Sequence, residues 1–286
     1  MIRIGELAKR AGVSPELVRA WERRYALLSP RRTEGGYRLY DDDAVSRIRR
    51  MRELIAGGMS TAQAADLAKA GAAAPAVAAP IPSELTAALA QALRSLDEAS
   101  AHAAVDRLLS TVTVESFITD AVLPILRDIG ERWSVRRTTI GHEHFATTVL
   151  RGRLLGLARG WDNGPGPLVA LACLPGELHD VGLVAFGIVL SRSGLRVLYL
   201  GQDTPLDSVA DLAVGQGCVL AVIASVESAR FDEHASGLRK LARSLPVAIG
   251  GAGANAAIAK RTGARLLPED PVAAAREIAR AQWSHA

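Results

Sequence analysis

From Leu168 to Leu267, short apolar runs alternate with helical patterns, and this alternation most narrows the folds open to the chain. Residues 168–174, 197–200, 219–224 and 247–250 read as strands, with a weaker one at 264–267. Helical patterns lie between them, near 181–193, 205–214, 233–243 and 255–262. Strand and helix in this order predict a Rossmann-like parallel sheet covered on both faces. Open sheets of this kind bind ligands at the carboxyl ends of their strands. The loop after the first run carries Glu177-Leu178-His179-Asp180-Val181-Gly182. A carboxylate two residues from an imidazole can hold the ring by one nitrogen, which fixes its tautomer and raises its basicity as a metal ligand. Gly182 lets a bulky flat ligand come close to the start of the next helix.

The rest of the chain divides around that sheet. Its 286 residues leave room for two or three domains. Residues 71–82, GAAAPAVAAPIP, form an Ala/Pro-rich, almost uncharged stretch that reads as a semi-rigid linker. From 83 to about 160 the pattern is helical and fits a four-helix bundle. Asp97 is placed to cap a helix bearing Ala101, Ala104, Val105 and Leu108, and Pro124 should kink the helix over 114–133. The turn cluster Trp161-Asp162-Asn163-Gly164-Pro165-Gly166 marks the next boundary. The expected domains are therefore 1–71, the linker 72–82, the bundle 83–162 and the sheet domain 163–286. No apolar run reaches the roughly 18 residues of a membrane span, and Met1-Ile2-Arg3-Ile4-Gly5-Glu6 lacks a secretion pattern. Cys173 and Cys218 lie in apolar runs and read as buried free thiols of a reducing cytoplasm. Residues 1–71 carry a net charge of +5 against +4 for the whole chain, so the basic excess sits there and points to an anionic partner.

In that basic segment, residues 4–12 read as a first helix. A second begins with Ser14 as N-cap and Pro15 at its first position, and carries Arg19, Arg23 and Arg24 with Trp21 and Tyr25. Residues 30–40, PRRTEGGYRLY, form a Gly-Gly turn between β-prone, arginine-bearing flanks, read as a wing, and a third helix spans 43–56. The strings Gly5-Glu6-Leu7-Ala8, Gly12-Val13-Ser14, Arg19-Ala20-Trp21-Glu22-Arg23-Arg24-Tyr25 and Gly35-Gly36-Tyr37-Arg38-Leu39-Tyr40 closely resemble the MerR family of winged helix-turn-helix regulators. The resemblance implies a recognition helix in the major groove of double-stranded operator DNA, with Pro15, Arg19, Arg23, Arg24, Tyr37 and Arg38 at the interface. No heptad run follows residues 60–70, so any dimer contact is expected in the C-terminal half or on the DNA.

The order of helical bundle then sheet, with Glu177, His179 and Gly182 followed by Ala224-Ser225-Val226 and Gly250-Gly251, resembles the corrinoid-binding module. It implies cobalamin with His179 as the lower cobalt ligand, on a loop that includes Asp180. The nucleotide tail would lie in a slot lined by Ser225, Gly250 and Gly251. The family's serine falls here on Ala224, with Ser225 one residue later, an offset that reverses side-chain direction within a strand. Trp133 followed after nine residues by Glu143-His144 resembles light-dependent cobalamin repressors of the CarH and LitR type. There these residues cap the upper face of the corrin. Some members carry a histidine after the tryptophan as upper ligand; here it is Ser134, which leaves His142 or water for that role. The combined expectation is a non-enzymatic, cobalamin-dependent, light-responsive regulator, a repressor, holding adenosylcobalamin and acting as a homodimer or homotetramer. A MerR-type sensor with another pigment such as a bilin, and a corrinoid methyl carrier, stay open at this point.

Overall fold

The computed structural model describes residues 1–32, 36, 38–56, 61–70, 81–134, 139–164 and 166–281; the side chains of 131–134, among others, fall outside this description. The chain divides into two compact units, Met1–Val77 and Ala78–Ala286.

In the first unit, α1 (Ile4–Ala11) stops at Gly12, which takes a left-handed conformation with φ of 66°. α2 (Pro15–Tyr25) opens as its sequence dictates: Ser14 Oγ accepts the Leu17 N–H at 3.2 Å, and Pro15 fills a position that needs no donor. β1 (Arg31–Arg32) and β2 (Arg38–Leu39) pair antiparallel, and Tyr40 extends the ribbon by bridging Ile2. α3 (Asp42–Ala56) begins one residue before the expected start, and α4 (Thr61–Ala70) follows. Leu7, Val18, Trp21, Leu27, Tyr40, Ile48 and Met51 meet in one core.

The second unit opens with α5 (Ser83–Arg94) and α6 (Glu98–Thr111), capped by Asp97, whose Oδ1 accepts the Ser100 N–H at 3.0 Å. α7 (Val114–Ser116), a π-helical stretch (Phe117–Val122) and α8 (Leu123–Ser134) run on as one helix. Pro124 brings no N–H, and in an α register its ring would strike the Asp120 carbonyl. The chain widens just before it, so that the Leu123 N–H reaches Ile118, five residues back. α9 (Ile140–Leu157) is the fourth helix of the bundle.

Then come β3 (Leu168–Cys173), α10 (Val181–Arg192), β4 (Arg196–Gly201), α11 (Leu206–Gly215), β5 (Leu220–Ala224), α12 (Ser228–Glu233), α13 (Ala235–Ser244), β6 (Val247–Gly250), α14 (Ala256–Thr262), β7 (Arg265–Leu266) and α15 (Pro271–Arg280). The five strands pair in parallel in the order β4-β3-β5-β6-β7. Strand alternation splits the core. Val169, Leu171, Cys173 and Val222 face α10, α15 and the bundle, while Ala170, Ala172, Ala221 and Ile223 face α11, α13 and α14. Bundle and sheet thus share one continuous core. Two elements differ from expectation. The helix expected over 233–243 is present as α13, but a short helix, α12, precedes it unanticipated, with His234 between them, and α15, anticipated by no apolar run, packs on α10. Its start is nonetheless written locally: Asp270 Oδ1 accepts the Ala273 N–H at 2.6 Å, and Pro271 follows.

Candidate functional site

Strand order reverses between β3 and β5, and the loops leaving these strands flank the crevice where such sheets bind ligands. The β3 loop is fixed from two sides. The Gly176 N–H donates to Asp203 Oδ1 at 2.6 Å, and the Asp203 N–H donates to the Glu177 carbonyl at 3.0 Å. The Glu177 side chain is buried, 1 % exposed. Its Oε1 accepts the His179 backbone N–H at 2.8 Å and lies 2.7 Å from His179 Nδ1. Its Oε2 accepts the Ser225 hydroxyl at 2.8 Å and the Val226 N–H at 2.9 Å. Burial pushes this carboxyl up, and the four hydrogen bonds, those of the His179 and Val226 backbone first, outweigh it and hold it below the ordinary carboxylate range. An ionised carboxylate can only accept, so Nδ1 carries the proton. In the neutral ring Nε2 then presents its lone pair. His179 is 59 % exposed and lines a cavity of about 990 Å³.

The cavity lies between bundle and sheet. α8 contributes Leu123, Leu126, Arg127 and Gly130, a stripe at helical spacing, and α9 contributes Glu143 and Thr147, one turn apart. Opposite stand His179, Gly182, Phe186, Ala224, Ser225, Gly250 and Gly251, with residues 267–271 at one rim. A Cβ added at Gly182 would meet open space, so the glycine keeps the cavity floor flat. At Gly251, φ is +90° and a Cβ would come within 2.5 Å of the Ser225 carbonyl, so the two loops lie backbone against backbone.

The structure brings some of the expected residues to the cavity and not others. Ser225 does line the cavity, but β5 ends at Ala224, so strand alternation no longer sets its direction; its hydroxyl turns to Glu177. Asp180 is not among the lining residues. It is buried, and both its oxygens accept from Arg151 on α9, at 2.7–3.0 Å, while the Tyr199 hydroxyl donates to Oδ2. Of His142, Glu143 and His144, only Glu143 lines the cavity. Successive helical residues point about 100° apart, so its two neighbours cannot share its face. His142 Nδ1 lies 2.8 Å from Thr139 Oγ1 instead, and His144 is exposed. α8 runs through Trp133, whose side chain lies outside the described residues. Arg127, Thr147 and Phe186 were not anticipated. An arginine in an otherwise apolar helical stripe is the one local signal that marked any of them.

The first unit carries the basic surface. Arg19, Arg23 and Arg24 are exposed on α2, and Pro15 stands at its first turn. The Arg24 guanidinium lies 5.7 Å from the Tyr25 ring centre. Arg38 on β2 donates through Nε to Glu22 on α2 at 3.0 Å. Tyr37 lies outside the described residues.

Comparison with known proteins bears on both units. Residues 2–71 match the MerR HTH family regulatory protein, and residues 85–155 match the B12 binding domain. The chain is 34 % identical over 266 residues to the HTH-type transcriptional repressor CarH of Myxococcus xanthus, covering 88 % of this chain and 89 % of the relative. It is 32 % identical over 259 residues to the transcriptional repressor CarA of the same organism, covering 88 % and 87 %. Among solved structures, the monomethylamine corrinoid protein of Methanosarcina barkeri superposes with a TM-score of 0.61 at 17 % identity, over 69 % of this chain and 98 % of that one, a likeness of fold.

Proposed function

This chain belongs to the family of HTH-type transcriptional repressors that includes CarH and CarA, and from that premise we propose that it is a cobalamin-dependent, light-responsive repressor. The observation that carries the proposal is the pairing of His179 Nδ1 with a buried, ionised Glu177, which leaves Nε2 as a ligand nitrogen on the wall of a large cavity. The residues present fit a cobalamin. About 990 Å³ lies at the upper end of small-molecule sites, the floor at Gly182 is open, and the Gly250–Gly251 turn borders the same space.

In this reading His179 would hold the cobalt through Nε2, and Glu177 holds the ring. Ser225 and Gly250-Gly251 line the slot for the nucleotide tail. Glu143 on the bundle wall would meet the upper substituent, an adenosyl group, a role that the resemblance also gives to Trp133. When bound, the cofactor supplies a cobalt–carbon bond that light can cleave. Glu143 and Arg127 sit on two helices of the bundle, so a change in what they touch biases how the bundle packs on the sheet; a ligand shifts such an equilibrium only by its differential affinity for the two states. Among the described residues none of the bundle histidines lines the cavity, so Glu143 and Arg127 are the charged bundle side chains that would face the bound group there. Operator DNA is bound by α2 and the wing, and the assembly state, dimer or tetramer, follows cofactor and light.

The test is reconstitution of the full chain with adenosylcobalamin in darkness. A corrin spectrum that changes on illumination, together with a change in gel-filtration mass, is expected. The His179→Ala variant should lose affinity and alter the spectrum while its head still binds DNA. Unchanged cobalamin binding in that variant would remove the lower-ligand assignment.

A further inference from the structure

Glu22 is an acidic side chain on the helix expected to face a polyanion, and it is not spent on its own helix. Its Oε1 accepts from Arg38 Nε at 3.0 Å and its Oε2 from the Tyr40 hydroxyl at 2.8 Å. Glu22 is 16 % exposed and Tyr40 2 %, whereas Arg38 stays 42 % exposed. Burial, then the hydrogen bond to Glu22, pushes the Tyr40 phenol up, so it remains a donor at all ordinary pH. Tyr40 is itself fixed by its backbone pairing to Ile2, with N···O distances of 2.7 and 2.9 Å. One carboxylate thus ties the recognition helix to the returning strand of the wing and occupies the inner edge of the Arg38 guanidinium. Among the described residues the terminal nitrogens of Arg38 meet no acceptor, which suits them to an external anion.

We propose that Glu22 is a positioning residue for DNA binding: it orients Arg38 toward a phosphate of the duplex and sets the angle between wing and recognition helix. The proposal rests on the reading of this unit as DNA-binding. It makes a prediction opposite in sign to simple electrostatics. Removing a negative charge beside DNA should tighten binding, whereas removing the group that aims Arg38 should weaken it.

The experiment uses the full chain and a duplex that it selects from a random-sequence pool, with affinities measured over a salt series. Glu22→Ala is expected to weaken binding about 5- to 10-fold and to flatten the salt slope by about one unit, the signature of one lost phosphate contact. Glu22→Gln, which keeps an acceptor for Arg38, should recover part of the loss. In an Arg38→Ala background, Glu22→Ala should have no effect or tighten binding. Thermal melting of each variant separates loss of fold from loss of aim. Equal losses in both backgrounds, or tighter binding of Glu22→Ala in the wild-type background, overturn the proposal. Failure of the wild-type chain to select any duplex overturns instead the DNA-binding reading beneath it.

Discussion

Replacing Glu177 by Gln tests the centre of the site with almost no change in shape. The carboxylate accepts four hydrogen bonds of 2.7–2.9 Å, from two backbone N–H groups, an imidazole and a hydroxyl. A glutamine offers one oxygen and one NH2 group. The Ser225 hydroxyl can rotate to accept, but the backbone N–H of either Val226 or His179 must then face a donor. An unsatisfied buried donor costs about 1–3 kcal/mol, and the surviving bonds lose their charge assistance, so the variant should lose about 2–4 kcal/mol. In a unit of this size that is a fall in melting temperature of about 5–12 °C. The loss carries a pH signature. The folded carboxyl lies below its ordinary value of 4.5, so its contribution is fully present above that value and disappears as pH falls through the folded one. The gap between wild type and variant should hold from pH 7 to about pH 5 and shrink at lower pH. Scanning calorimetry of the full chain, following the transition of the sheet-bearing unit, reads both quantities. A loss under about 0.5 kcal/mol would refute the accounting, since it is less than one net hydrogen bond. So would a gap that stays constant below pH 4.5. If His179 holds the cobalt as proposed, cobalamin affinity should also fall about 10- to 100-fold in the same variant, because the ligand imidazole loses the partner that orients it.

Other expectations follow from the same geometry. Gly182→Ala places a methyl in open space within α10, so stability should hold or rise by up to about 1 kcal/mol while cobalamin affinity falls at least about 10-fold; equal affinity would remove Gly182 from the ligand surface. Arg151→Met strips the buried Asp180 carboxylate of its paired cation and should cost about 3–5 kcal/mol, read by calorimetry; a near-neutral result would mean Asp180 finds water or another partner. Cys173 is wholly buried, and burial, then the charges of Asp180 and Glu177, pushes its thiol up to about 12. It should therefore not react with an aromatic disulfide reagent at pH 8 until the chain is denatured, and rapid native labelling at this residue would contradict the packing.

Features confined to a few neighbouring residues were legible. Ser14-Pro15 and Asp97 act as the caps their positions implied, and the apolar runs form the parallel sheet, each within one or two residues of its expected span. The Glu-x-His loop lies where a strand end must present it. Asp270-Pro271, a cap of the same kind as Ser14-Pro15, was equally legible and marks the start of α15.

What the linear chain left open were directions and partners. Which of His142, Glu143 and His144 faces the cavity depends on how α9 is rotated against the sheet. Ser225 was expected to obey strand alternation, but the strand ends one residue earlier, and a carboxylate 48 residues away captures its hydroxyl. Asp180 was grouped with the ligand loop, yet an arginine 29 residues upstream and a tyrosine 19 downstream claim it. Periodicity and capping are set by backbone geometry within one turn or one pleat, so the sequence alone determined the elements and their order. Burial forces each polar group to find whichever partner chain closure brings within 3 Å, so only the tertiary structure decided which residues became the site and which its supports.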